Sequence, residues 1–558
     1  MLDFARDNAL WERVRADDSY AQHRREIKEI YDEAFTEAPR PHSVEEILEN
    51  DDHGLWHRQF DQLQSSALLS LIYPDNDEYY NNLLRIVWAY CNDYSWAPLG
   101  HYTMQYYGKT PADFDCGLID IFAASAGFSL AEIKNLFKDR FPKLITDRIT
   151  YELRRRIIEP YMTRRFFWEK HDNNWTAVCM GGVGGVLLYE APEVYYANQK
   201  RIHDSMECYL ASYKDDGMCV EGIGYWEFGF GFFCSFAMLE RELTEGKVDW
   251  FARPKVKEIA RFLQKIFLQK DVVLTYGDCT IEQRYFFYLP HMLSTVYRNE
   301  IEALPRDLAV VKRNTHFNFS LRSIIYFRPD MICDDIKNDV TYWVKGSSYL
   351  IKRTKGYGFT CKGGNNGESH NHVDVGNFIL AHGGRQIICD IGGGPYEDGY
   401  HFDKRYTFFH PSAESHNLPI IDGEYQSHIG IGNVEVEYYS ESQRASMDIA
   451  IAYRMEKLTS LVRSFDFKDY SVTLTDKYAF TEDSRVTERF ISIIEPKIAD
   501  GVVEIGGVRL VQDDGIIPTV TIREVTSHKG NKHFVYIIEY ALPKGQTEFI
   551  LTFDMEEK

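Results

Sequence analysis

One segment in the second half of the chain alternates like a β-strand and carries side chains that bind metals: Ser369-His370-Asn371-His372-Val373-Asp374-Val375-Gly376-Asn377-Phe378. In a strand, residues 370, 372 and 374 point to one face, because side chains alternate with a period of two. Asp390 lies 18 residues after His372 and ends the apolar run Ile387-Ile388, which predicts the next strand of the same sheet. The segment therefore predicts a β-sheet with imidazoles and carboxylates on one face.

Three side chains from this region form a candidate metal site. His372 and Asp390 would lie on adjacent strands, and His416 would enter from a later loop. Such groups are costly to bury without a role. Two imidazoles and a carboxylate suit Zn²⁺, with Mn²⁺ or Ca²⁺ as alternatives. We expect a structural ion that positions a cleft wall and leaves His370 available for chemistry; a hydrogen-bonded network without metal is the alternative.

The period of the apolar residues changes once along the chain. Up to about residue 314 they recur at i, i+3 and i+4, as in Tyr79–Cys91, which predicts antiparallel helix pairs in a solenoid or an (α/α) toroid. From about residue 316 the period is two, as in His316–Phe327 and Tyr470–Phe480, which predicts antiparallel strands. We therefore expect a multidomain α+β fold: a helical domain, 1–315, then an antiparallel β-sandwich, 316–558, with a cleft between them.

The composition excludes some partners. At 558 residues and 44% hydrophobic content, the chain can bury a large core. Its 15% aromatic content suits a cleft that stacks on sugar rings, although large cores also use aromatic residues. A net charge of −21 argues against a nucleic-acid partner. A local basic cleft can still bind an anionic substrate. Six residues form such a local basic segment or a solvated helix face: Arg154, Arg155, Arg156, Arg164, Arg165 and Lys170.

The cysteines and the apolar runs indicate the compartment. The ten cysteines form no CxxC pair, and Met1–Asn8 does not have the pattern of a secretory signal. These features predict reduced thiols in a cytoplasmic enzyme, with a periplasmic or secreted form that has lost its leader as the alternative. No apolar run approaches the ~20 residues that span a bilayer, so no membrane partner is expected.

Three helical-half segments offer candidate site residues. In Asn173-Asn174-Trp175 one amide can cap a helix, or it can donate to a substrate carboxylate beside an indole that stacks on sugar. In Glu221-Gly222-Ile223-Gly224-Tyr225-Trp226 the glycines let the backbone approach a ligand. The Tyr225 hydroxyl can then transfer a proton, although a core tyrosine is the plainer interpretation. The loop from Trp96 to His101 can line a sugar subsite, although a lone histidine is more often structural.

Together these segments resemble the heparinase II/III-like polysaccharide lyases. The resemblance rests on the Asn-Asn-Trp and Gly-Ile-Gly-Tyr-Trp blocks, the His-Asn-His-Val-Asp-Val-Gly-Asn-Phe block with Asp390, and His416-Asn417, in the family's order between about residues 90 and 480. It implies an incomplete (α/α) toroid followed by an antiparallel β-sheet domain. It also implies β-elimination of uronate-containing glycans. Phe228 departs from the family, where many relatives carry Tyr, and this leaves Tyr225 as the best phenol of its block.

The resemblance also implies residue roles. Asn174, or its neighbour Asn173, would neutralise the substrate carboxylate, Tyr225 would be the catalytic tyrosine and His370 the catalytic histidine. The metal ligands would be His372, Asp390 and His416. Further candidates for substrate binding are Asn173, Trp175, Trp96, His101, Trp226 and Glu221.

We therefore expect a lyase that acts on glycosaminoglycan-like oligosaccharides such as heparan, chondroitin or hyaluronan, as a monomer or a homo-oligomer. The alternatives are an alginate-type uronate lyase, an (α/α) glycoside hydrolase that uses Glu221 and Glu227, and a glycan-binding protein without activity. The hydrolase would need two carboxylates on opposite sides of the bond that it cleaves.

Overall fold

The structure is a computed structural model that describes residues 5–49, 54–101, 117–281, 286, 288–305, 311, 315–368, 371–397, 399–400, 404–430, 432–499, 501–512 and 514–555. The first part of the chain is helical and the second part is made of antiparallel sheets, which confirms the predicted fold class. Among the described helices, none has both the length and the apolar character needed to cross a bilayer.

The helices are named here in chain order. They are α1 Asn8–Ala16, α2 Ala21–Ala34, α3 Val44–Glu49, α4 Gly54–Ile72, α5 Asp77–Asn92, α6 Ile121–Leu136, α7 Lys143–Leu153, α8 Glu159–Thr163, α9 Asn174–Glu190, α10 Pro192–Ala211, α11 Ile223–Tyr225, α12 Gly231–Leu243, α13 Pro254–Ala260, α14 Phe262–Ile266, α15 Tyr288–Tyr297 and α16 Phe317–Ile325. π-Helical turns at Arg154–Ile158 and Trp226–Phe230 continue α7 and α11.

Helix α9 lies at the centre of the helical part, and nearly all its residues are buried. Its glycines explain how it packs. A Cβ at Gly182 would lie 2.5 Å from the carbonyl oxygen of Ala124 in α6, and one at Gly181 would lie 3.1 Å from that of Phe232 in α12. The helix backbones therefore touch directly, as close packing requires. This contact fixes the N-terminus of α9, where Asn174 lies.

Helix α16 corrects the prediction that His316–Phe327 forms a strand. The alternation of apolar and polar residues there does not reflect one exposed face, because Asn318, Ser320 and Arg322 are as buried as their apolar neighbours. Arg322 forms a buried ion pair with Glu132 of α6, at 2.7 Å. A short run that is buried on all sides fits the repeat of a helix as well as that of a strand. The domain boundary at residue 315 stays a prediction, with α16 packed in the helical core.

The strands, also in chain order, are β1 Phe267–Gln269, β2 Val272–Val273, β3 Leu304–Pro305, β4 Ile332–Cys333, β5 Val340–Val344, β6 Tyr349–Arg353, β7 Gly358–Lys362, β8 Phe378–His382, β9 Arg385–Ile388, β10 Ile420–Ile421, β11 Glu437–Tyr439, β12 Arg444–Asp448, β13 Leu458–Lys468, β14 Ser471–Phe480, β15 Val486–Ser492, β16 Lys497–Ala499, β17 Val502–Ile505, β18 Val508–Val511, β19 Thr519–Thr526, β20 Lys532–Ala541 and β21 Glu548–Met555.

Three antiparallel sheets build the second part, in the orders β5-β6-β7-β8-β9, β10-β15-β20-β19 and β11-β12-β13-β14-β21-β18-β17-β16. Their inner faces share an apolar core in which the rings of Phe359, Phe378 and Phe465 pack against one another. The backbone N–H of Cys389, just after β9, donates to Ile491 of β15 at 2.9 Å and so joins two sheets. The predicted strand that leads to Asp390 is present as β9.

The hairpin β1–β2 links the two parts of the molecule. It follows α14 directly and packs against β6, β7 and β8 of the five-stranded sheet. The chain then runs through Tyr276, whose hydroxyl donates to the carbonyl of Thr360 in β7 at 3.0 Å. Residues 275–280 therefore belong to the interface between the helices and the sheets, where the candidate site lies.

Candidate active site

Asn173 and Asn174 have different surroundings although they are neighbours. The Asn173 side chain accepts a hydrogen bond from the backbone N–H of Trp175 at 3.1 Å, so Asn173 is the N-cap of α9. Asn174 is buried, and its amide Nδ2 has no hydrogen-bond partner among the described residues. A Cβ at Gly229 would collide with Asn174 Oδ1, so the glycine lets the second π-helical turn approach the amide. The free donor therefore lies on Asn174.

Tyr225 ends the short helix α11, directly before that π-helical turn. Gly222 precedes the helix at φ 105°, a conformation that favours glycine. The Tyr225 hydroxyl lies 3.1 Å from the hydroxyl of Tyr396. Burial raises the pKa of Tyr225 well above its usual value, and the nearby Tyr396 and Asp278 add to the shift. The phenol is therefore protonated at neutral pH.

Sequence reasoning missed Tyr396. It follows Gly392-Gly393-Gly394-Pro395, a glycine-rich stretch that is typical of a passage from strand to loop. Its side chain is 40% exposed, and its ring packs against His528 at 4.2 Å and Tyr400 at 5.0 Å between ring centroids. The sheets thus place a second phenol against the helical lobe. Its position directly after a glycine-rich loop, six residues past Asp390, was the one available signal.

The predicted metal ligands come together. His372, Asp390 and His416 are fully buried, and one ligand atom from each lies within 4.8 Å of the others. Asp390 Oδ2 lies 3.1 Å from His416 Nδ1 and accepts a hydrogen bond from Asn377 at 2.8 Å. Burial alone would raise the pKa of Asp390, but the two imidazoles hold that pKa below its usual value.

The donor set fits a divalent cation. His372 Nδ1 is buried and has no hydrogen-bond partner among the described residues, as expected of a nitrogen whose partner is an ion. Two imidazole nitrogens and a carboxylate oxygen leave room for a fourth, non-protein ligand in a tetrahedral site. These three residues would hold the ion.

The ligands lie in loops, which corrects the prediction that residues 372 and 374 belong to a strand. Residues 371–377 form a turn before β8. The Lys362 ammonium donates to Asn371 Oδ1 at 2.9 Å and to Asp374 Oδ1 at 2.7 Å, so Asp374 faces this buried lysine. The predicted catalytic His370 lies outside the described residues.

Asp278 is a further charged group beside the metal ligands, and sequence reasoning missed it. Its Oδ1 lies 3.3 Å from His372 Nε2 and accepts hydrogen bonds from Arg405 at 2.8 Å and from the Tyr400 hydroxyl at 3.2 Å. No local motif surrounds it, because its partners are 94 to 127 residues away along the chain.

The predicted substrate-binding residues divide into two groups. Trp96 and Trp226 are core residues, 2% and 0% exposed, with indole N–H groups that donate to the carbonyls of Tyr90 and Ile259. Neither can stack on a sugar, and this corrects the prediction. Trp175 and Glu221 are half-buried.

An aromatic strip remains beside Asn174. The His101 ring packs edge-on against Trp175 at 4.9 Å, and Nδ1 of His101 lies 2.7 Å from Asp120. Phe167, 40% exposed, lies 5.3 Å from Trp175 on another side. These rings can border a sugar subsite.

The local basic segment is mainly structural. Arg155 and Arg156 both pair with the buried Glu152, and Arg154 pairs with Glu159. Arg156 also stacks on the buried Trp96 ring, at 4.9 Å. These contacts favour the structural interpretation over an anion-binding cleft at these three arginines.

Comparisons with known proteins agree with the geometry. No protein-family model and no curated protein matches the sequence. Solved structures do match. Heparinase III, the BT4657 gene product, gives a TM-score of 0.62 at 12% identity, over 90% of this chain and 79% of that chain. The heparan sulfate lyase HepC of Pedobacter heparinus gives a TM-score of 0.58 at 13% identity, over 96% of this chain and 89% of that chain.

A third structure comes from a different lyase. The chondroitin AC lyase of Streptomyces coelicolor A3, solved with chondroitin sulphate, gives a TM-score of 0.59 at 10% identity, over 100% of this chain and 83% of that chain. This chain therefore has the fold of the heparinase-like and chondroitinase-like polysaccharide lyases.

Proposed function

We propose that the protein is a polysaccharide or oligosaccharide lyase that cleaves uronic-acid-containing glycans by β-elimination. The observation that carries the proposal is the unpaired amide of Asn174, buried against the π-helical turn that follows Tyr225. An unpaired buried donor against the turn that follows a protonated phenol suits a substrate that brings both a carboxylate and a leaving oxygen. The shared fold supports the same proposal.

Asn174 would act on the carboxylate of the sugar. The proton on carbon 5, alpha to that carboxylate, becomes acidic when the carboxylate charge is neutralised and the enolate is stabilised. The Nδ2 group of Asn174 would donate to a carboxylate oxygen without adding a charge of its own. Its burial strengthens such a hydrogen bond, because water does not compete for it.

Tyr225 would protonate the leaving oxygen on carbon 4. Its raised pKa keeps the phenol neutral, which is the form that donates a proton. Where the carbon-5 proton lies on the same side as the leaving group, Tyr225 could do both tasks: as a phenolate it would take that proton and pass it to the leaving oxygen. This route requires the phenol to lose its own proton first, which the raised pKa of Tyr225 disfavours. For the opposite epimer, His370 is the proposed base.

The ion would crosslink three loops. When bound to His372, Asp390 and His416, a divalent cation such as Zn²⁺ supplies the positive charge that holds these buried donors together. The loop from Asn371 to Asn377 and the segment after β9, which leads to Tyr396, would both be fixed by it. The chain's own residues perform the proton transfers.

The proposed substrates are short anionic oligosaccharides of the heparan, chondroitin or hyaluronan type, with alginate-type uronates as the alternative. A cytoplasmic location and homo-oligomer formation stay predictions. A paired-carboxylate hydrolase is disfavoured, because Glu227 is buried and its carboxylate accepts the backbone N–H of Phe286 at 2.7 Å.

The test is a screen of heparan, chondroitin, hyaluronan and alginate oligosaccharides with the metal-loaded protein. We expect ultraviolet absorbance from a conjugated double bond, and products whose masses sum to that of the substrate. Products that gain the mass of water would show a hydrolase. Binding without products would show a glycan-binding protein, and either result would contradict the proposal.

A further inference from the structure

Asp278 lies between the candidate metal ligands and the phenol pair. Hydrogen bonds to backbone atoms hold its segment in place before and after it. Before it, the Thr275 hydroxyl donates to the carbonyl of Asp390 at 2.6 Å. After it, the carbonyl of Cys279 accepts from the N–H of Gly393 at 2.6 Å, and Thr280 forms a β-bridge with Gly392. The segment carrying Asp278 is thus attached to the segment that carries one of the metal ligands.

The two ring nitrogens of His372 have different surroundings. Nε2 lies 3.3 Å from Asp278 Oδ1, whereas the buried Nδ1 has no partner among the described residues. A neutral imidazole carries one N–H, and a carboxylate beside one nitrogen retains the proton there. The other nitrogen then offers its lone pair to a metal. Carboxylates that are not metal ligands themselves commonly orient metal-binding histidines in this way.

Arg405 stabilises the charge of Asp278 in this buried place. Its Nη2 donates to Asp278 Oδ1 at 2.8 Å and to the carbonyl of Asn371 at 3.1 Å. The first contact compensates the cost of burying a carboxylate. The second holds the backbone of the residue directly before His372. Asp278 and Arg405 thus act on the side chain and the backbone of the same ligand.

We propose that Asp278 is a positioning residue of the metal site: it accepts the Nε2–H of His372 and thereby presents Nδ1 to the ion. The inference rests on the proposed divalent cation and adds a residue from the helical half to a site whose three ligands all come from the sheet half. Cys279, next to Asp278, occupies the space that a Cβ at Gly222 would fill. The same segment therefore also supports the turn that carries Tyr225.

The experiment measures metal affinity of the full-length protein. Apo-protein made with a chelator is titrated with Zn²⁺ against a chromophoric competitor, for the wild type, Asp278→Asn and Tyr400→Phe. Asp278→Asn keeps the shape but removes the charge, and we expect about 10- to 100-fold weaker binding. Tyr400→Phe removes another partner of the same carboxylate but keeps its charge, so its affinity should stay closer to that of the wild type than the affinity of Asp278→Asn does.

Two further readouts separate positioning from a general loss of structure. The visible spectrum of the Co²⁺-loaded Asp278→Asn protein should change, while the circular dichroism spectra of the apo forms should match. The variant should unfold at a lower denaturant concentration, because Arg405 loses its buried partner. Nitrogen NMR of the Zn²⁺-loaded wild type, with the signal identified through His372→Gln, should show a proton on Nε2. This measurement is made on the wild type and therefore does not require the Asp278→Asn protein to fold.

The outcomes are distinguishable. Equal Zn²⁺ affinity and equal Co²⁺ spectra in Asp278→Asn and wild type, or a proton on Nδ1 of His372, would overturn the role of Asp278 and leave the lyase proposal intact. A wild type that binds no divalent ion would overturn the metal site and this inference together. The oligosaccharide screen then decides the lyase activity on its own.

Discussion

The hydroxyl oxygens of Tyr225 and Tyr396 lie 3.1 Å apart, although 171 residues separate them in the sequence. One phenol belongs to the helical part and the other to the loop after β9, so this contact closes the interface at the candidate site. Burial raises the pKa of both phenols, and each is also raised by the negative charge of Asp278. Both phenols are thus protonated at neutral pH.

Replacing Tyr225 with Phe should reduce kcat by about 10²- to 10⁴-fold, the usual contribution of a general acid. Only the hydroxyl is lost, so the circular dichroism spectrum should not change. Initial rates of double-bond formation give the measurement. The control is Tyr439→Phe, which removes the hydroxyl of an exposed tyrosine in β11. Full activity in Tyr225→Phe would remove Tyr225 from the proposed role.

The two neighbouring asparagines should respond differently to replacement by alanine. Asn174→Ala removes the unpaired buried amide, and we expect kcat to fall by about 10²- to 10³-fold, as for the loss of one donor to a developing charge. Asn173→Ala removes a helix cap and should cost about 1 kcal/mol of unfolding free energy, with a much smaller effect on kcat. Turnover rates and urea unfolding of both variants test this. Similar kinetic losses in both would contradict the assignment.

The buried histidines predict loss of stability in acid. Burial lowers the pKa of His23, His291 and His316 to about 3, whereas an unfolded histidine titrates near 6.5. Below about pH 6.5 the unfolded chain therefore binds protons that the folded chain excludes. Unfolding free energy should fall by about 1.4 kcal/mol for each of these histidines per pH unit, down to about pH 3.

Urea unfolding at pH 7 and pH 5 measures this dependence. His23→Gln keeps a side chain that can donate to the carbonyl of Ser323, the partner of His23 Nε2, and should reduce the slope by one proton. Equal stability of the wild type at both pH values would show that the three histidines are not excluded from protonation.

The glycines of α9 predict a stability difference. Gly182→Ala would bring a Cβ to 2.5 Å from the backbone oxygen of Ala124, which cannot move like a side chain. Such overpacking should cost about 1–3 kcal/mol. Gly224→Ala is the matched control, because its Cβ would meet nothing within 4 Å. Urea unfolding of both variants measures the difference, and an unaffected Gly182→Ala would contradict the direct backbone packing of α9 on α6.

Local sequence patterns predicted part of the site well. Asn174 precedes an apolar helix, Tyr225 lies between glycines, and His372 and Asp390 flank one strand pair, so each belongs to a short and recognisable block. The helical first part and the antiparallel second part were also evident, because a change of period persists over hundreds of residues. The structure places His372, Asp390 and His416 together, and their role as metal ligands stays a prediction.

The rest depended on long-range contacts. Asp278, Arg405 and Tyr396 reach the site only through folding, and of the three only Tyr396 has a local signal, the glycine-rich loop before it. The sequence also did not show which aromatic residues are buried. Trp96 and Trp226 are of a residue type that often stacks on sugars, but both lie in the core. The segment that became α16 alternated like a strand, and the sequence did not show that Ser320 and Arg322 have buried partners in Gln64 and Glu132.

The reaction itself is tested most directly in water enriched in heavy oxygen, with a uronate oligosaccharide that the protein cleaves. β-Elimination breaks the bond between carbon 4 and its oxygen without adding water. We therefore predict products that carry no heavy oxygen from the cleavage and one unsaturated uronate per bond broken, by mass spectrometry. One heavy oxygen per bond broken, with no double bond, would contradict the account.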